Sequence, residues 1–198
     1  MKRIILASKS PRRIELLKSI INDFKIQPAN IEEQKFMHYP PALAVMKIAE
    51  EKGKKVAKVN KGSLVIAADT VVVFGGEVLG QPKDENDAFE MLKTLNGNKH
   101  CVFTGISVIS GDKIITDFVK STVVFKENSE SKLWEYIKTG EPMDKAGAYA
   151  IQGKGRELIE SFIGCFHNII GLPILRVSKI LHKYFNFELK NPFNCTCE

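Results

Sequence analysis

The chain has 198 residues, with 29 Lys and Arg against 23 Asp and Glu, for a formal net charge of +6. That length suits one domain with its own core, and the 44% apolar and 26% charged fractions exclude a disordered, collagenous or coiled-coil chain. The positive excess points to nucleic acid, an anionic membrane or a small polyanion such as a nucleotide.

Taken in chain order, the first apolar stretch is only Ile4 to Ala7 before Ser8 and Lys9 interrupt it. It is too short for an export signal. No run approaches the roughly 18 apolar residues that span a bilayer, so a soluble, cytoplasmic protein is expected. Arg3 to Ala7 reads as a buried strand. Ser10 is a good N-cap and Pro11 suits the first helical position, so a helix is expected from there to about Ile21 on the stripe Ile14, Leu17, Ile21. Pro40-Pro41 precedes a second helix reaching about Asn60.

Ser63 to Phe74 reads as a long strand, and Gly75-Gly76 turns it into a hairpin with Glu77 to Leu79. Asp84 caps a third helix that Gly97 stops. His100 to Ile109 and Lys113 to Phe125 read as two strands joined at Gly111-Asp112. A short helix over Ser131 to Lys138 ends at Gly140. Gly147 to Gln152 and Leu158 to Phe162 look like strands, and Pro173 starts a last helix ending near Tyr184. This interleaving argues an α/β fold with a mixed sheet covered on both sides. No linker or repeat divides the chain, so residues 1–190 are expected to form one domain, followed by a short tail, 191–198. Cys101 and Cys165 lie in apolar, strand-like contexts, and Cys195 and Cys197 sit in the tail. That spacing is neither a disulfide framework nor a zinc site, which suits a reducing cytosol.

Four places suggest chemistry. At the junction Ser8-Lys9-Ser10-Pro11-Arg12-Arg13, two arginines occupy the first turn of a helix, where the macrodipole disfavours positive charge by about 0.3–1 kcal/mol each. They suit a bound anion, and a phosphate would also meet the Ser8 or Ser10 hydroxyl and backbone N–H groups. Lys52 falls on the apolar stripe Val45, Ala49, Val56, Val59 of the second helix, whereas Lys54 and Lys55 can pair with Glu50 and Glu51 on its outer face. Asp69 interrupts a strand otherwise buried on both faces. A carboxylate there needs a partner, a metal or a cleft, and it can hold a divalent cation or take a proton from water. In Met143 to Gly153, small residues let a backbone approach a ligand, and Gln152 offers both a donor and an acceptor for a base edge.

Together, Leu6-Ala7-Ser8-Lys9-Ser10-Pro11-Arg12-Arg13, Ala68-Asp69-Thr70-Val71-Val72, His100 with Thr104-Gly105, Asp144 to Tyr149 with Ile151-Gln152-Gly153, and Gly171-Leu172-Pro173 resemble the successive motifs of the Maf proteins. The resemblance implies an elongated α/β fold with two lobes around a nucleotide cleft. It also implies hydrolysis of a nucleoside triphosphate to the monophosphate and pyrophosphate, with Mg²⁺ or Mn²⁺ as cofactor. By position it makes Asp69 the proton acceptor, assigns phosphate and metal handling to Ser8, Arg13, Glu33 and Lys52, with Asp69 and Glu33 as the metal ligands, and links Arg12, Thr70 and Gln152 to base choice. The form of the Gln152 segment is similar to the dTTP/UTP branch, and a glutamine amide can meet both O4 and N3–H of thymine or uracil.

One departure stands out: Gln81 precedes Pro82 where the family usually has lysine, so either Lys83 reaches the phosphates or one cation is missing. The resemblance also leaves open a regulatory protein that senses nucleotide and blocks septum formation through a division-machinery partner, and it allows a homodimer. Nucleic acid is disfavoured as a partner because the basic residues are dispersed, Lys52, Lys54, Lys55, Lys58 and Lys61 being the only dense stretch.

Overall fold

A computed structural model describes residues 2–187; the predicted tail, with Cys195 and Cys197, lies outside the described residues. Among those residues seven strands form one sheet, in the order β2-β1-β3-β5-β6-β7 with β4 paired to β3. The strands are β1 (Ile4–Leu6), β2 (Lys25–Ile26), β3 (Leu64–Phe74), β4 (Glu77–Leu79), β5 (Lys99–Ser110), β6 (Lys113–Phe125) and β7 (Ile159–Ile163). The helices are α1 (Pro11–Lys18), α2 (Pro41–Val59), α3 (Glu85–Leu95), α4 (Glu130–Ile137), α5 (Phe166–Ile170) and α6 (Ile174–Phe185). β1 pairs in parallel with β2 and β3, while the β3–β5–β6–β7 ladder is antiparallel. The sheet is mixed and covered by helices on both faces, as the interleaved pattern requires. With 12 and 13 residues, β5 and β6 make a ribbon about 40 Å long.

The outer edge of β3 changes partner along its length. Leu64 to Ile66 pair with β1, Val72 to Phe74 pair with β4, and the backbone between them faces no strand on that side. The Gly75-Gly76 turn has φ of 60° and 91°, the left-handed pair that a two-residue hairpin needs, and it folds β4 back to resume pairing.

One sheet face is covered by α2, whose Val56 packs on Ile5, Ala7, Val65, Ala67 and Ile109. The contact is close because Gly105 on β5 has no side chain: a Cβ there would lie 2.3 Å from the Val45 carbonyl carbon of α2. The opposite face carries two groups of helices. α1 and α6 bring Leu17, Val177 and Leu181 onto Leu6, Ile66 and Ile106, and α3 and α4 bring Leu92, Leu95 and Leu133 onto Val102, Val123 and Phe125. The two lobes meet where the edge of β3 is open.

Five details differ from the sequence reading. α1 stops at Lys18, where the Ser19 hydroxyl donates back to the Leu16 carbonyl, although Ile21 is still buried. Gly147 to Gln152 is not a strand: Gly147 and Ala148 both have positive φ, 68° and 57°, which breaks extended pairing. Cys165 is the residue before α5 rather than part of a strand, and α5 itself is too short at five residues to give a periodic signal. Val59 is 69% exposed, because a 3.6-residue period carries the end of a 19-residue helix off the sheet. Lys54 pairs with both Glu50 and Glu51, whereas Lys55 donates instead to the Asn30 carbonyl. Among the described residues no helix is long and apolar enough to cross a membrane.

Candidate active site

The open segment of β3 forms the floor of a cleft of about 1020 Å³ between the two lobes. Successive side chains of a strand point to opposite faces, so Asp69 and Thr70 serve different walls. Asp69 faces α2. There Lys52, on the sheet-facing stripe, places its ammonium 2.7 Å from Asp69 Oδ1 and 2.7 Å from Glu33 Oε1. Glu33 begins the 3₁₀ turn Glu33–Phe36. Lys52 and Asp69 are buried at 8% and 5% exposure, which strips away the water that ordinarily solvates a charge, while Glu33 keeps its carboxylate half in solvent. Lys52 therefore neutralises a carboxylate pair that would otherwise repel, and this accounts for its place on an apolar stripe.

Burial pushes the Asp69 carboxyl above the usual carboxylate range. The charges of Lys52 and Arg13 pull it back in part, and Glu33 adds to the upward push. A base raised in this way is better matched to taking a proton near neutrality.

Arg13 serves the other wall. Its Nε donates to the Gly171 carbonyl at 2.9 Å, Nη1 to the Ala68 carbonyl at 2.9 Å, and Nη2 to Thr70 Oγ1 at 3.0 Å. The Ala68 carbonyl is one that the missing edge strand leaves without a partner, so the guanidinium closes the gap in the ladder. Burial lowers the Arg13 pKa, against the favourable pull of Asp69. With three of its five N–H groups so committed, Arg13 acts on a ligand mainly through its charge. Thr70 Oγ1 also meets Thr104 Oγ1 at 2.9 Å, and Thr104 donates to the Asn168 carbonyl at 2.9 Å, so the Thr70 hydroxyl belongs to a packed network.

Ser8, 7% exposed, accepts the Ser10 N–H at 3.2 Å, and the Ser10 side chain makes no cap to α1. The expected serine cap is thus absent, which leaves the first turn of α1 without a side-chain acceptor beside the cleft. Of the residues singled out from sequence, Ser8, Arg12, Arg13, Glu33, Lys52, Asp69, Thr70 and Gln152 all line the cleft. Lys83 does not. It is exposed, and its backbone N–H donates to Asp87 at the start of α3. Gln81 lines the cleft instead and donates its amide to the Asp144 carbonyl at 3.2 Å.

Lys145 is a cleft cation that the sequence reading passed over. Its side chain is 13% exposed and paired with Asp144, which in turn lies 3.9 Å from Arg12 across the cleft. Adjacent Asp-Lys reads as a solvated pair; the flanking Met143 and Ala146, both half-buried, are the only hint otherwise. Lys9, Arg12, Arg13, Lys52 and Lys145 against Glu33, Asp69 and Asp144 leave the cleft lining with a balance of +2.

Among the described residues no three His, Cys, Asp or Glu side chains are grouped to hold a metal by themselves. Asp69 and Glu33 nonetheless each keep one carboxylate oxygen that Lys52 does not occupy. Two carboxylates completed by substrate phosphates and water is the usual donor set for Mg²⁺, so these residues fit such an ion.

The family model of Maf-like protein matches residues 3–184. The chain belongs to the Maf-like family. A dTTP/UTP pyrophosphatase of Caldicellulosiruptor saccharolyticus is 45% identical over 189 residues, covering 92% of this chain and 95% of the relative. Enzymes of the same name from Dictyoglomus thermophilum and Clostridium botulinum are each 46% identical, over 92% and 91% of this chain and 96% of their own length. The Maf-like family match spans every residue that lines the cleft.

Proposed function

We propose that this Maf-like enzyme hydrolyses dTTP and UTP to the monophosphate and pyrophosphate, using a divalent cation. The observation that carries the reading is the buried Asp69–Lys52–Glu33 group opening on a cleft of net positive lining. The naming of the relatives as dTTP/UTP pyrophosphatases supports the same substrate class.

In this reading the triphosphate lies along Arg12, Lys52 and Lys145, whose charges offset its own and the charge that develops on the leaving group. Water attacks the α-phosphorus. The new P–O bond forms as the bond to the bridging oxygen of the β-phosphate breaks, and pyrophosphate departs with the electron pair. Asp69 takes the proton that the attacking water loses. A divalent ion held by Asp69 and Glu33 would supply further charge neutralisation on the phosphates. Lys52 holds both carboxylates in place and keeps Asp69 ionised in a buried setting. Gln152 lines the same cleft, is exposed, and its amide makes no hydrogen bond among the described residues, so it is available to a base.

The test is pyrophosphate release from dTTP with Mg²⁺ or Mn²⁺. Asp69→Asn should lose at least about 100-fold in kcat while melting as a folded protein. Wild-type turnover in that variant, or nucleotide binding without pyrophosphate release under any metal, overturns the reading.

A further inference from the structure

We propose that Tyr136 and Glu141, neither of which lines the cleft, are positioning residues that set base preference by clamping the turn that carries Gln152. The inference rests on the reading of Gln152 as the base contact. Gln152 lies in no strand: it sits between the 3₁₀ turn Ala146–Ala148, where Gly147 and Ala148 have positive φ, and the 3₁₀ turn Gly153–Leu158, which it caps. With Tyr149 and Ile151 buried before it, its exact placement depends on the side chains that grip the backbone on either side.

Those side chains are present. The Tyr136 hydroxyl, on α4 and at 5% exposure, accepts the Ala150 N–H at 3.1 Å and donates to Glu141 Oε1 at 3.0 Å. Glu141 Oε1 also accepts the Gly155 N–H at 3.1 Å, and Oε2 accepts the Lys154 N–H at 3.1 Å. The grips fall two residues before Gln152 and two and three residues after it. The turn closes directly on the carboxylate: a Cβ on Gly153 would lie 2.6 Å from Glu141 Oε2, and one on Gly155 would lie 2.4 Å from the Ala150 carbonyl oxygen. Gly153 also has φ of +69°, so it supplies both the bend and the clearance. A carboxylate accepting two adjacent backbone N–H groups holds them at a fixed spacing, and so holds the base-contacting side chain that they flank.

The experiment is steady-state kinetics with dTTP, UTP and dGTP on the full chain and on Tyr136→Phe, Glu141→Gln, Gln152→Ala and the Glu141→Gln/Gln152→Ala double variant, each checked by thermal melting. Tyr136→Phe keeps the ring in the core and removes only the hydroxyl. Each clamp variant should raise KM for dTTP about tenfold with kcat held within about twofold, the signature of lost uniform binding. The ratio of kcat/KM for dTTP over dGTP should fall with it. The double variant should discriminate no worse than Gln152→Ala alone, since both changes remove the same contact. An unchanged ratio in the clamp variants beside a reduced ratio in Gln152→Ala overturns the clamp and leaves the base reading intact. So does an equal loss on every nucleotide. An unchanged ratio in Gln152→Ala removes the base reading itself, and the clamp with it.

Discussion

Acidification should destabilise this protein, and the buried His100 should be a large part of the cause. The imidazole is 2% exposed, set edge-on to Phe125 and Tyr149 with ring centroids 5.2 Å away in both cases. Its Nε2 meets the Tyr149 hydroxyl at 2.7 Å, and Nδ1 has no hydrogen-bond partner among the described residues. Burial pulls its pKa from the ordinary 6.5 down to about 4. The unfolded chain therefore binds a proton near pH 6.5 that the folded chain refuses until about pH 4. Stability from this group is complete above pH 6.5 and is lost as pH falls towards 4. At about 1.4 kcal/mol per unit, the difference of 2.5 units amounts to roughly 3 kcal/mol, a large share of the 5–15 kcal/mol or so that typically holds a domain together. Urea unfolding of wild type and His100→Gln at steps from pH 7.5 to 4 isolates the contribution, because glutamine does not titrate and all other groups cancel in the difference. Wild type should lose roughly 3 kcal/mol more than the variant over that range. Parallel pH profiles for the two proteins would refute the argument.

Three more outcomes follow from the site and the sheet. Because burial raises the Asp69 pKa, its ionised form opposes folding at neutral pH, and Asp69→Asn should match or exceed wild type in thermal stability at pH 7 while losing turnover; a marked drop in melting temperature contradicts this. Glu33 pushes the Asp69 pKa up, so in Glu33→Gln the acid limb of the pH–rate profile should move to lower pH, whatever happens to the maximal rate; a limb that stays or moves up counts against Asp69 as the titrating base. Gly105→Ala places a methyl against the backbone of α2 and should cost about 1–3 kcal/mol or more in urea unfolding; a neutral result means that the helix lifts off freely.

The Asp69–Lys52 part of the cleft is legible in the sequence because its residues violate local rules. A carboxylate inside an apolar strand and a lysine on an apolar helical stripe are each unfavourable alone, and the structure brings them within 2.7 Å of one another. The Gln152 segment is harder to read. Ala148-Tyr149-Ala150-Ile151 looks like a strand because three of the four side chains are buried, yet they are buried by a loop folded onto α3 and α4, and hydropathy does not distinguish the two. Of the two alternatives that Gln81 leaves open, the structure favours the missing cation: Lys83 is exposed and outside the cleft lining, with its backbone N–H taken up in starting α3. Arg13 was found through its charge, whereas its task of closing the β3 ladder depends on a strand register that local spacing does not encode.

The interruption in pairing along β3 also bears on what the protein admits. An exposed strand edge ordinarily invites another chain to add to the sheet. Here the unpaired stretch lies between β1 and β4, leaving a window of about five residues, or roughly 17 Å. A strand approaching it would run into occupied positions at both ends and into the Arg13 guanidinium in the middle. The sheet can therefore present backbone and a buried carboxylate to a small solute without offering a template for self-association. Extending β1 or β4 by two residues would cut that window to about three residues, or roughly 10 Å, and narrow the way to Asp69.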